Sequence, residues 1–258
     1  MSLPSLFIAH GSPLLAIEDN AYAAAIAALG AGMDRPRAVL LFSAHWETAI
    51  TTVNLSERYG MIYDFWGFPD ELYRIQYPAL GDPSLASAVV EQLQGHGVAV
   101  ATDPQRGLDH GAWVVLRRLF PLAEVPVVTV SVVPGLPAAE QYHIGQVLSG
   151  FRDDGVLVIG SGGTVHNLRA IMWDSGAVAN WAWEFDDWLE HVIARWDLDA
   201  LFQYRRAPSA DLAVPIHGNE HFVPLLYAMG AGDQRRQAHL LHRSYQYGTL
   251  SQCIWAFD

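Results

Sequence analysis

Eleven histidines stand in a chain of 258 residues that has no lysine and a single cysteine, Cys253. One thiol can form neither an internal disulfide nor a thiolate cluster, so any metal must be held by imidazole and carboxylate. Three histidines occupy the same kind of place. His10 follows the apolar run SLFIA, His45 follows AVLLFSA, and His166 comes shortly after VLVIGSGGTV. In open α/β sheets ligands bind in the crevice beyond the carboxyl ends of the strands. If the three runs are parallel neighbours, their histidines converge there as a metal site of imidazole and oxygen donors.

Further candidates lie in the segment IHGNEHFVPLLYAMGAG. His217 and His221 are four apart with Glu220 between them, which matches the H-x-x-E-H pattern of inverted zinc proteases. Pro215 and Gly218 place the helix start near Asn219, which leaves His217 in the preceding loop and weakens that match. His110, between Asp109 and Gly111, either donates into the crevice or caps a helix. His96, His143 and His191 read as solvated surface residues, and His239 and His242 fall on a late strand or its flank. Rival motifs fail: Val165 stands where the third glycine of G-x-G-x-x-G belongs, and no G-x-S-x-G elbow exists. The glycines at 160, 162 and 163 allow close backbone approach near His166.

The elements that must position these residues alternate along the chain. Strands are predicted at 6–9, 38–43, 51–55, 98–102, 127–132 and 156–159, several nearly continuous in apolar residues, as in strands covered on both faces. Helices are predicted at 20–29, 83–94, 111–119, 138–148, 179–195 and 219–229, with Asp82-Pro83 supplying an N-cap and a first-turn proline. The stripe of Trp181, Phe185, Trp188, Leu189 and Val192 reads as core packing. The stretch 59–78 is too aromatic for a linker and reads as an ordered excursion that packs on the body or lines a pocket. The expected architecture is one α/β domain over 1–258, a central mostly parallel or mixed sheet flanked by helices, with the site at the C-terminal ends of the strands.

Composition excludes several classes. Twenty-seven acids against fifteen bases give a formal charge of −12, which argues against nucleic acid as a partner. Without lysine there is no Schiff-base or pyridoxal-phosphate chemistry and no P-loop. The first ten residues lack the features of a secretory signal, and no apolar stretch approaches the roughly 20 residues of a membrane helix. A cytoplasmic monomer or small homo-oligomer is expected.

Taken together and in order, HGSP at His10, SAHW at His45, LDHGAWVVL around His110, GSGGTVHNL around His166 and HFVPLLYAMGA from His221 resemble the extradiol aromatic ring-opening dioxygenases of the LigB superfamily, in particular the DOPA 4,5-dioxygenase branch. The resemblance runs over nearly the whole chain. It implies non-haem Fe(II) for activity, with Zn(II) a further occupant of the resting protein, and His10 and His45 as the first two ligands. The third ligand is His221, where other members use glutamate, and neighbouring Glu220 is the alternative. His166 is implied as the catalytic histidine, with a further possibility of ligating the metal, and His110 as a second pocket histidine.

The implied reaction opens a catechol, DOPA-like or related, with O₂ to a muconic semialdehyde-type product. A neutral imidazole with an ordinary pKa of about 6.5 suits removal of a catechol proton, the task assigned to His166. His110 would orient dioxygen or the substrate hydroxyl. Tyr63, Phe65, Trp66 and Tyr73 are candidates to wall the ring, or else pack in the core, and Arg169 is a candidate partner for a charged substituent. Two other readings use the same residues: a zinc-dependent hydrolase, and a non-catalytic binding protein on the same scaffold.

Overall fold

The structure is a computed structural model and describes residues 2–173 and 176–258; Met1, where the predicted domain and the N-terminal reading begin, lies outside them. It is a single α/β domain built on one mixed sheet of eight strands. In chain order these are β1 (Ser5–Ala9), β2 (Ala38–Glu47), β3 (Thr51–Asn54), β4 (Val100–Asp103), β5 (Val127–Val132), β6 (Val156–Gly162), β7 (Ala238–Gln246) and β8 (Leu250–Phe257). Their spatial order is β4-β3-β5-β2-β6-β1-β8-β7. The middle of the sheet, β5-β2-β6-β1, is parallel throughout, and β8 and β7 add an antiparallel edge. Strands β1, β5 and β6 are buried along their whole length, as expected of apolar runs with helices on both faces.

The helices are α1 (Ala21–Gly32), α2 (Pro83–Gly95), α3 (His110–Leu119), α4 (Ala138–Leu148), α5 (Asn180–Ala194), the short α6 (Leu198–Phe202) and α7 (Ala210–Ala213), and α8 (Pro224–Ala231). Their starts are written locally. Asn20, Asp82 and Asp109 each accept a hydrogen bond from a main-chain N–H of the first turn, satisfying donors the helix itself leaves free.

The six predicted strands all form, β5 with its predicted bounds and the others with shifted ends. Three features differ. Strand β2 runs on to Glu47, so His45 lies inside it; its register slips between Ser43 and Glu47, which turns His45 toward the crevice. The last helix begins at Pro224 rather than near Asn219, because residues 220–223 form a turn that the proline then converts into helix. The hairpin of β7 and β8 ends the chain where only a strand or its flank was expected near His239 and His242. Among the described residues no helix is long and apolar enough to cross a membrane.

Candidate metal centre

Strands β2, β6 and β1 are adjacent and parallel, so their carboxyl ends open on one crevice. His10 leaves β1 there, its N–H donating to Gly162 O at 3.1 Å. Its ring is buried, and Nε2 lies 3.0 Å from Nε2 of His45. His221 arrives from the turn before α8, and one ring nitrogen from each of His10, His45 and His221 lies within 4.8 Å of the others.

Each of the three rings is held at its other nitrogen. His10 Nδ1 lies 3.1 Å from Ser161 Oγ, whose own hydroxyl donates to Gly111 O. That hydroxyl therefore accepts from His10, and Nε2 keeps its lone pair. His45 Nδ1 lies 3.2 Å from Asp64 Oδ2, and His221 Nδ1 2.8 Å from Glu220 Oε1. Acceptors on Nδ1 fix the tautomer and leave Nε2 bare, the arrangement that metal-binding histidines need. Burial lowers the pKa of His10 and His221 well below the ordinary histidine value, helped by neighbouring imidazoles. They are neutral at pH 7, the form that ligates. The donor set fits a first-row divalent ion such as iron or zinc.

His221 is placed by glycines. A Cβ on Gly162 would fall 2.1 Å from His221 O, and one on Gly160 2.1 Å from Pro224 O. The glycine run thus lets β6 touch the His221 turn and α8, rather than serving mainly His166 beside it. Gly163 N–H donates to His221 O at 2.7 Å.

His166 lies parallel to His221, ring centroids 3.6 Å apart. Its loop is pinned by His166 N–H to Ala213 O, Ser251 N–H to Val165 O, and the Thr164 hydroxyl to buried Asp186. Burial and the nearby His45 and His110 push the His166 ring down to about 3. His110 opens α3, whose cap is Asp109, so capping is not its task. Its main-chain N–H and its Nδ1 both donate to Asp64 Oδ1, at 3.0 and 2.8 Å.

Asp64 was not singled out in the sequence, yet it joins His45 to His110. Burial alone would raise its pKa, but hydrogen bonds from the two histidines outweigh this and hold it well below the usual carboxylate range. Its signal was faint: the carboxylate first met within the aromatic excursion. Of the aromatic candidates, Phe65 and Trp66 line the cavity, whereas Tyr63 and Tyr73 pack behind, their hydroxyls donating to Ile75 O and Phe65 O. Arg169 is exposed and outside the lining. His96, His143, His191, His217 and His239 are exposed and apart from the cluster. With His217 outside, the H-x-x-E-H reading fails. Glu220 orients His221 through Nδ1 and is raised by burial.

Residues 4–258 match the family model described as the catalytic LigB subunit of aromatic ring-opening dioxygenase. The chain belongs to this LigB family. It is an extradiol ring-opening dioxygenase of the non-haem, metal-dependent kind. Among curated relatives, a 4,5-DOPA dioxygenase extradiol of Beta vulgaris is 40% identical over 98% of this chain and 96% of its own length. One of Escherichia coli K12 is 37% identical over 96% and 92%. A crystal structure of an uncharacterised Escherichia coli K12 protein superposes with a TM-score of 0.86 at 32% identity, covering 99% of this chain and all of that one.

Proposed function

We propose that the whole chain, 1–258, is one catalytic unit that opens a catecholic ring, DOPA-like or related, using O₂ and Fe(II), to a muconic semialdehyde-type product. His10, His45 and His221 would hold the metal; Zn(II) fits the same donors in a resting protein. The observation that carries this reading is that all three rings have a partner at Nδ1 and that one ring nitrogen from each lies within 4.8 Å of the others. When bound, Fe(II) supplies Lewis acidity to the catechol oxygens and the redox chemistry that O₂ requires.

The protein's own groups supply the rest. His166, neutral at pH 7, accepts a proton from a catechol hydroxyl at a ring nitrogen. Its proton affinity is low in the empty site because burial disfavours the charge, and an anionic catecholate beside it would raise that affinity. The same proton returns to a substrate oxygen as the ring opens. His110 donates from Nδ1 to Asp64, so its Nε2 accepts from a substrate hydroxyl and orients the ring. Phe65, buried and edge-on to His110 at 5.7 Å, excludes water from the ring face.

Anaerobic reconstitution with Fe(II), followed by oxygen uptake on adding catechols, tests the reading. Uptake with the iron form and none with the zinc form is expected. No uptake with any catechol overturns it and leaves zinc-dependent hydrolysis as the chemistry to test.

A further inference from the structure

The cavity, lined by the five crevice histidines as well as by apolar side chains, has a volume of about 370 Å³, within the range of sites that take ligands of drug-like size. It therefore has room for a substituent as well as the ring. Beside Ser12, Pro13 and Tyr247, three separate segments build the wall away from the histidines. The loop after β3 brings Phe65 and Phe68, the loop after His166 brings Leu168, Ile171 and Trp173, and β8 brings Leu250. These side chains carry no ionic group. The carboxylate in the lining, Asp64, is already bonded to His45 and His110. Arg169 sits between Leu168 and Ile171 but is exposed and does not join the wall.

Resting on the ring-cleavage reading above, we propose that the natural substrate is a catechol carrying an apolar alkyl or aryl substituent, seated on this wall, rather than a zwitterionic amino-acid side chain. A methylene transferred from water to such a wall gains about fourfold in affinity. An ammonium or carboxylate placed there loses water without gaining an ionic partner, since the polar side chains beside the wall are the neutral hydroxyls of Ser12 and Tyr247, a cost of about tenfold or more. Trp66 and Trp173, largely exposed at the mouth, extend the same apolar surface outward and give a longer substituent somewhere to lie.

The test is anaerobic calorimetric titration of the Fe(II)-loaded protein with 4-methyl-, 4-ethyl- and 4-propylcatechol and with DOPA. Affinity should rise about threefold to fourfold per methylene, with DOPA at least about tenfold weaker than 4-propylcatechol. Leu168→Arg is a tolerable second probe, since that side chain is 62% exposed. It should shift preference toward 3,4-dihydroxyphenylpropionate, whose carboxylate it can meet. Equal or tighter binding of DOPA, affinity flat with chain length, binding of none of these catechols, or an unchanged preference in Leu168→Arg would each overturn the proposal. Admitting oxygen afterwards separates the two readings. Alkylcatechols that bind but are not cleaved refute ring cleavage and leave the substituent preference standing; cleavage with DOPA preferred does the reverse.

Discussion

The imidazoles of His166 and His221 lie face to face, their centroids 3.6 Å apart and their planes 8° from parallel. Two rings so close cannot both carry a proton at modest cost, because like charges would face each other in a buried site. A proton on His166 therefore requires a neutral His221, which is the state a metal ligand must have. The stack couples the residue proposed to move protons to one proposed to hold the ion.

Replacing His166 by alanine separates these roles. The variant should keep its iron, since His10, His45 and His221 keep their own supports, while turnover falls by about 10²–10⁴. Metal analysis beside oxygen uptake measures both. Iron lost in step with activity would make His166 chiefly a ligand.

Asp64→Ala removes the acceptor on His45 Nδ1 and on His110 Nδ1 together. Loss of such an outer partner typically weakens metal affinity about 10–100-fold, so a competitive chelator titration should show a drop of that size. Asp64→Asn, which keeps an acceptor, should recover part of it. Unchanged affinity in the alanine variant would mean that His45 is held by packing alone.

The metal-free protein should lose stability as pH falls below about 6.5. His10, His110, His166 and His221 all have lowered pKa values in the fold. Between the unfolded value and the folded one, about 3 for His166, the unfolded chain binds more protons. Stability is thus complete above about 6.5 and falls by up to about 1.4 kcal/mol per pH unit for each histidine. Asp64, depressed in the fold, adds to the loss below about 4, while the raised carboxyls of Asp186 and Glu220 offset part of it. Urea midpoints measured from pH 8 to 4 test the slope, and added metal should flatten its upper part. A midpoint constant to pH 5 in the metal-free protein would refute it.

Gly162→Ala should damage both fold and site, since its Cβ would meet His221 O at 2.1 Å. Backbone cannot yield as a flexible side chain can, so a cost of about 1–3 kcal/mol is expected. Because the displaced group is the main chain of His221, metal affinity should fall as well. Denaturation of the metal-free variant and a metal titration read the two effects separately, and normal values in both would discard the close-approach argument.

How much of this was legible in the chain follows from what is local. Asp82 announces its helix because a cap acts within three residues, whereas Asn20 was counted inside its helix and the cap before His110 proved to be Asp109. The buried strands announce themselves by continuous apolar runs, and His10 is found at a strand end by reading a few neighbours. The histidines that gather in the crevice were all named from motifs, whereas His45's place inside β2 and the late start of α8 depend on a register slip and a turn that no short window reveals.

Sequence alone determined the donor chemistry: no lysine, one thiol, and imidazoles in small-residue surroundings. Tertiary structure decided which of them meet. Only the order β2-β6-β1 brings His10 and His45 to 3.0 Å, only the excursion folding back delivers Asp64 to both His45 and His110, and only contact across Gly162 seats His221. The C-terminal strand then closes the apolar wall with Leu250. Residue type and period are properties of neighbours in sequence. Convergence depends on strand pairing and close packing between segments as far apart as residues 10 and 221, and that is set by the fold as a whole.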